Sequence, residues 1–202
     1  MKLSILIPSY GEDHWAQIAR QRALPSALAQ GAHEVLIEHD HTGSIASVRN
    51  KLGRRASGDY LCFLDADDEL DPGFHLAMQR AWQKHQDGST LFTPAVSQVH
   101  GYRRQRPFFF GECDLRTGNW LVIGTLIPRS LFLEIGGFRD FPHGLEDWNL
   151  WARCARAGAS FVKVQQAIYV AHVSGNSKHH ELRKNKAEYL KAYEMARRDA
   201  WE

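Results

Sequence analysis

Residues 60–68 read Tyr60-Leu61-Cys62-Phe63-Leu64-Asp65-Ala66-Asp67-Asp68, a short apolar run that ends in three carboxylates within four positions. The run shows no polar alternation, as expected of a strand covered on both faces. A buried strand that delivers several negative charges to its carboxyl edge is costly unless a cation meets them there. Hard divalent cations, themselves bound to phosphate oxygens, are the usual answer. The stretch therefore predicts a central strand with a cation-dependent site at its end.

Working outward, the same logic places a strand at Leu3-Ser4-Ile5-Leu6-Ile7, stopped by Pro8-Ser9-Tyr10-Gly11. A helix is expected from Glu12 to Gln30, broken at Pro25 and closed by Gly31. Glu34 to Glu38 reads as a second strand, and the polar turn Asp40-His41-Thr42-Gly43-Ser44 leads into a helix from Ile45 to Ser57. After the strand Tyr60 to Asp65, Pro72-Gly73 opens a helix that runs to His85. Alternating strands and helices are the mark of right-handed βαβ units and predict an α/β fold on a mostly parallel sheet. In such sheets ligands bind beyond the carboxyl ends of the strands. Those ends carry Ser9 and Tyr10, Asp40, and the Asp65-Asp67-Asp68 group, so the polar residues converge on one rim.

The second half is less regular. Strands are expected at Leu91–Val99, Trp120–Ile127, Phe161–Val164 and Ile168–His172, and helices at Ser130–Ile135, Glu146–Ala157 and Lys184–Arg198. Trp148, Leu150, Trp151 and Cys154 fall on the apolar stripe of the middle helix, which assigns both tryptophans to the core. In the last helix Tyr189, Leu190 and Tyr193 share one side.

The 202 residues suffice for a single domain with a proper core, and a formal charge of +2 favours no class of partner. Cys62, Cys113 and Cys154 are odd in number and widely spaced, which suits free thiols in a reducing compartment. No apolar stretch approaches the roughly 20 residues that span a bilayer, and no signal peptide precedes the first strand. A soluble, cytoplasmic protein without a membrane span is expected.

Five segments, in order, resemble the family-2 glycosyltransferases, inverting enzymes of the Rossmann-like GT-A fold that use nucleotide sugars. They are Ser4 to Tyr10; Ser47-Val48-Arg49-Asn50-Lys51-Leu52-Gly53 with Ala56 to Tyr60; the DXD element Asp65-Ala66-Asp67-Asp68; Gly136-Gly137-Phe138 with Gly144-Leu145-Glu146-Asp147-Trp148; and Tyr169 to Ser174. The resemblance implies a single GT-A domain with a central, mostly parallel mixed sheet flanked by helices. It assigns residues 1–177 to the catalytic domain, with 1–100 binding the nucleotide sugar and 101–177 serving acceptor and catalysis, and leaves 178–202 as a C-terminal helix. One departure stands out: where the family has a DDGS turn, this chain reads Glu38-His39-Asp40-His41-Thr42-Gly43-Ser44 and runs straight into the helix.

The resemblance also implies roles. The donor is a UDP-sugar, UDP-glucose or similar, and the cofactor is Mn²⁺ or Mg²⁺. Asp67 is the direct metal ligand, Asp65 lies nearer the ribose or coordinates through water, and His172 is a further metal or pyrophosphate contact. Pro8, Ser9, Tyr10, Arg49, Asp65 and Ala66 line the nucleotide site. Asp40 accepts a hydrogen bond from the base, with Glu38 as competitor. Asp147 is the general base, its pKa expected to be lowered by the helix start, while Glu146 is either its alternate or a helix cap. Asn50 is read as reaching the nucleotide or as a local helix hydrogen-bonder, and Trp120 as a possible sugar platform.

For the acceptor, the one basic and aromatic cluster is Tyr102-Arg103-Arg104-Gln105-Arg106-Pro107-Phe108-Phe109-Phe110. It reads as a solvated loop, or as a site for an anionic glycan or for a hydroxymethylated base in DNA. Two rival classes compete with this reading. Nucleotidyl transfer wants a glycine-rich basic loop after the first strand, which Pro8-Ser9-Tyr10-Gly11-Glu12 is not. A non-catalytic nucleotide-sugar binder has no need of metal ligands and a base together.

Overall fold

The computed structural model describes residues 1–85, 87–141, 144–173 and 186–202. In chain order the first half holds β1 (Leu3–Tyr10), α1 (Asp13–Gln21), α2 (Ala23–Leu28), β2 (Glu34–Asp40), α3 (Ile45–Arg55), β3 (Tyr60–Phe63), β4 (Glu69–Leu70) and α4 (Phe74–Trp82). The second holds β5 (Leu91–His100), β6 (Arg103–Arg104), β7 (Ile127–Pro128), α5 (Arg129–Glu134), α6 (Glu146–Arg156), β8 (Phe161–His172) and α7 (Lys186–Trp201).

The apolar runs form the strands expected of them. β1 lies between β2 and β3 and is parallel to both, with Leu6 opposite Leu36 and Phe63. Leu3, Ile5, Leu6, Ile7, Leu61, Cys62, Phe63 and Leu64 are fully buried, which is why these segments carry no alternation. β7 adds an antiparallel edge to β3, giving the order β2-β1-β3-β7. A second four-stranded sheet has the order β4-β8-β5-β6. The two sheets meet where Phe92 of β5 exchanges backbone hydrogen bonds with Leu126, just ahead of β7. The parallel pairings β1–β2, β1–β3 and β5–β8 are long, whereas the antiparallel ones are two residues each. The molecule is thus a single α/β domain of mixed sheets flanked by helices, and not one central sheet.

Several local expectations change. The first long helix breaks at Arg22, not at Pro25. Pro25 falls in the first turn of α2, where no intrahelical N–H is required of it. Trp120–Ile127 is irregular apart from the bridge at Leu126 and β7, and Phe161–His172 is one strand. Its register against β5 jumps from Val164 opposite Pro94 to Ile168 opposite Ala95, so the residues between bulge out. In α7 the buried face is Ala192, Ala196 and Ala200, while Leu190 is exposed. That small face lets α7 lie close on α6, where Asn149 Nδ2 donates to the Ala196 carbonyl (3.0 Å) and to Asp199 (2.8 Å).

Trp148 and Trp151 are core residues, as expected. Trp120 is buried too, edge-on to Phe161 and covered by Lys163 5.0 Å above its ring, so it offers no open sugar platform. Cys62, Cys113 and Cys154 are free thiols. Among the described residues no helix is long and apolar enough to cross a membrane. Ser174, the expected boundary between residues 177 and 178, and the expected helix start at Lys184 lie outside the described residues.

Candidate active site

The carboxyl ends of β1, β2 and β3 form one rim, as the alternation of elements predicts. Ser9 and Tyr10 sit opposite His39 and Asp40 in the β1–β2 register, and the Gly11 N–H donates to the Asp40 carbonyl at 2.9 Å. Pro8 and Ser9 are buried, and Tyr10 is half-buried. Asp40 accepts from the Thr42 N–H (3.1 Å) and hydroxyl (3.2 Å), and these bonds hold its pKa below the ordinary value. Glu38 is engaged elsewhere, by Lys51 and Arg55 at 2.5 Å each. Among the described residues, both Glu38 oxygens are in ion pairs and Asp40 is in none.

Beyond β3 the chain alternates sides. Ala66 and Asp68 face inward, while Asp65 and Asp67 are partly exposed on the rim. Asp68 is held by the Tyr169 hydroxyl (2.7 Å) and the His172 N–H (2.8 Å), both from β8. Burial and the neighbouring Asp65 and Asp67 drive its pKa well above the ordinary value. Asp68 is therefore the inward anchor of the acidic turn, a role its sequence neighbours do not reveal. Asp68→Ala is expected to lower stability by about 1–3 kcal/mol, because it strands the Tyr169 hydroxyl and a backbone N–H. Urea unfolding followed by fluorescence reads this directly, and a loss below about 0.5 kcal/mol would contradict it.

Asp67 has no ion pair among the described residues, and its carbonyl takes a hydrogen bond from Arg22 at 2.9 Å. Burial, then the charge of Asp65, raises its pKa, with Arg22 and His172 opposing. A partly buried carboxylate pressed against another is relieved by a hard cation, so the donor set fits a divalent ion. His172 reaches the same rim on β8, but its Nε2 lies 2.6 Å from Glu69 Oε2. With Nε2 paired to Glu69, Nδ1 is the nitrogen that would serve as a ligand.

Arg49 organises the centre. Ser44 caps α3, exchanging hydrogen bonds with Ser47, and this fixes the helix that carries Arg49 inward. The guanidinium donates to Asp65 Oδ1 and Glu146 Oε1, both at 2.7 Å, and lies 5.1 Å above the Phe138 ring. Burial disfavours its charge, but Asp65 and Glu146 more than offset this and raise its pKa. Asn50 does not bond within its helix: it clamps the Phe138 backbone, donating to the carbonyl and accepting from the N–H at 2.8 Å each. Gly137 permits this clamp, with φ +71° and no room for a Cβ beside Asn50.

Gly144 and Leu145 both adopt left-handed backbone (φ 86° and 69°), and Leu145 stands at the N-cap of α6. For leucine this costs about 1–2 kcal/mol, and it swings the helix start toward the rim. Glu146 is thereby delivered to Arg49, which makes it an ion-pair partner and not a cap. Asp147 follows, accepting from the Trp148 N–H (2.7 Å) and Asn119 Nδ2 (3.1 Å). Its pKa is not lowered as expected. Burial first, and the Glu146 charge second, push it up to about 6, outweighing the backbone bond and Arg49. A carboxylate so tuned accepts a proton near neutral pH better than an ordinary one.

The structure thus ties Asp65 and Glu146 to Arg49, with Asp147 next along the chain from Glu146, and sets Asp67, Asp68 and His172 nearby. Glu69, Arg22 and Asn119 carry no sequence signal, and Tyr169 enters only as the first residue of the Tyr169–Ser174 segment, without a role. Each acts through a partner 28 or more residues away.

Fold and site together define an α/β domain with an acidic rim and, near it, a carboxylate of raised pKa. A model of glycosyl transferase family 2 matches residues 26–140, more than half of the chain, and the chain belongs to that family. The match takes in Arg49 and the acidic turn and ends before Asp147. Among curated proteins, the chain is 26% identical over 136 residues to uncharacterized protein y4gI of Sinorhizobium fredii (strain NBRC 101917 / NGR234), covering 66% of this chain and 15% of that protein. It is 22% identical over 161 residues to the O-antigen biosynthesis protein RfbC of Myxococcus xanthus, covering 78% and 12%. The chain therefore spans less than a sixth of the length of these relatives. Similar solved structures include S. aureus TarS 1-349 in complex with UDP-GlcNAc (TM-score 0.66, 14% identity, 88% of this chain and 60% of that one). Another is the mannosyltransferase PcManGT from Pyrobaculum calidifontis in complex with GDP-Man and Mn²⁺ (TM-score 0.65, 12% identity, 98% and 64%). At these identities the likeness concerns the fold, which is GT-A-like.

Proposed function

We propose that this protein is a divalent-metal-dependent inverting glycosyltransferase that moves a hexose, glucose by preference, from a UDP-sugar to an acceptor hydroxyl. The observation that carries the reading is the Arg49 bridge. It holds the rim carboxylate Asp65 and the α6 start, with Asp147, on opposite sides of one guanidinium. Residues 1–100 would bind the nucleotide sugar and 101–177 the acceptor, with the two sheets acting as one GT-A frame and α7 packed on it.

In this reading Pro8, Ser9 and Tyr10 shape the base and ribose pocket, and Asp40 accepts from the base. Asp67 and Asp65, with His172, would hold Mn²⁺ or Mg²⁺. When bound, such a cation supplies Lewis-acid stabilisation of charge on the departing diphosphate. Asp147 takes the acceptor proton as the hydroxyl oxygen attacks C1, and the C1–O bond to UDP breaks with its electron pair on the phosphate oxygen. A single displacement inverts the anomeric centre. Arg49 and Glu146 position this arrangement and do not exchange protons.

The acceptor is a carbohydrate in the leading form of this proposal, and a hydroxymethylated DNA base is the alternative. Tyr102, Arg103 and Arg106 are exposed, which suits an anionic acceptor, whereas Arg104 is committed to Asp71 by two hydrogen bonds. Three unpaired cysteines suit work in the cytoplasm. The reading is tested by hydrolysis of UDP-glucose with and without Mn²⁺. Metal-stimulated release of UDP by the wild-type chain, absent in Asp67→Ala, is expected. Binding of UDP-glucose without turnover would instead favour a non-catalytic relative.

A further inference from the structure

A second group of metal-binding side chains lies outside the acidic turn. Asp13 at the start of α1 faces His39 on β2 and His41 just beyond it, two histidines at the i, i+2 spacing that places strand residues on one face. His39 Nε2 and His41 Nε2 lie 3.8 and 3.7 Å from the same Asp13 oxygen. One ligand atom from each residue falls within a 4.8 Å cluster. The separations to Asp13 are too long for hydrogen bonds. They exceed by a few tenths of an ångström the roughly 3.3 Å between ligands of a tetrahedral ion with 2.0–2.1 Å bonds.

His39 adds an independent sign. Its Nε2 is buried and has no hydrogen-bond partner among the described residues, an expensive state for a ring nitrogen. Its other nitrogen, Nδ1, lies 3.0 Å from Ser9 Oγ, and that hydroxyl also lies 3.4 Å from the Glu38 carbonyl oxygen. In the tautomer suited to a metal ligand, the Ser9 proton goes to the Glu38 carbonyl and Ser9 Oγ accepts from His39 Nδ1–H. That tautomer presents the Nε2 lone pair toward Asp13, an arrangement a cation between them would stabilise. Such an outer hydrogen bond, fixing tautomer and ring, is what metal-bound histidines have.

We propose that Asp13, His39 and His41 form a site for a divalent first-row transition ion of zinc-like character, separate from the Asp65–Asp67 rim. Two imidazoles and one carboxylate favour such an ion over magnesium or calcium, which take oxygen-rich sets. A bound ion would tie the start of α1 to the end of β2, beside Ser9 and Asp40. It would also supply the partner that His39 Nε2 lacks.

The untagged full chain, its Asp67→Ala variant, and the variants His41→Ala and Asp13→Asn are titrated with Co²⁺ alone. The visible absorption of low-coordinate cobalt and competition by Zn²⁺ are followed. The wild-type and Asp67→Ala chains are expected to bind one equivalent with that spectrum. His41→Ala and Asp13→Asn should each weaken it by more than about tenfold, the scale of losing an outer-shell partner alone. His41 and Asp13 are 68% and 77% exposed in their side chains, so both variants should keep the wild-type metal-free melting temperature. Absence of the cobalt spectrum in the wild-type chain, or its retention in both variants, would overturn the assignment. Its loss in Asp67→Ala alone would place the ion on the acidic rim instead.

Discussion

Asp147→Asn is expected to lower kcat for sugar transfer by about 10²–10⁴-fold, the usual contribution of a positioned general base. The amide keeps the shape of the carboxylate and still accepts from the Trp148 N–H, so the fold should survive. What it loses is the capacity to take the acceptor proton. The wild-type rate should fall on the acid side as pH drops through about 6, where Asp147 becomes protonated, and this limb should vanish in the variant. The same group links stability to pH in the opposite sense. Its folded pKa lies above the ordinary 3.8, so protonation favours the folded chain; that contribution is present below 3.8 and lost as pH rises through about 6. Asp147→Asn should be less sensitive over that window. Retention of kcat within a factor of three, with the acid limb intact, would move the base elsewhere.

Arg49→Ala should be the most destabilising single change among the site residues, by about 3 kcal/mol in denaturant unfolding. The Arg49 side chain is 5% exposed and its guanidinium faces two carboxylates at 2.7 Å. Removing it leaves Glu146 charged and largely buried, and leaves Asp65 beside Asp67 without a counterion. The figure sits at the low end of the range for broken buried pairs because Asp65 keeps contact with water, its side chain being 34% exposed. Neutralising one orphan, in Arg49→Ala/Glu146→Gln, should recover part of the loss. Arg49→Lys should not restore the wild type, since one ammonium cannot reproduce a fork that donates to two separate acceptors. A loss below 1 kcal/mol for Arg49→Ala would mean that the bridge does not hold the site together.

The acidic turn was legible because its cost is local: three carboxylates following a fully apolar strand have few physical explanations. The role of Asp68 was not, because it depends on Tyr169 and His172, about a hundred residues onward and brought alongside by β8. Asp147 shows the same limit in its charge. Its helix-start position suggests a lowered pKa, while burial and Glu146 reverse the sign. The first helix was misjudged at Pro25 because a proline that breaks a helix interior is harmless in a first turn. The histidines at 39 and 41 carried a usable signal in their spacing, but Asp13 joins them only when α1 packs against the end of β2.

Periodicity and apolar runs were enough to settle the βαβ beginning, the three parallel strands and the rim where their polar ends meet, since burial on both faces and helix caps act over a few residues. Which carboxylate turns inward, which is tied to Arg49 and which is left with a raised proton affinity were decided by packing alone. Desolvation and charge pairing are set by neighbours in space, and here those neighbours come from strands and helices far apart along the chain.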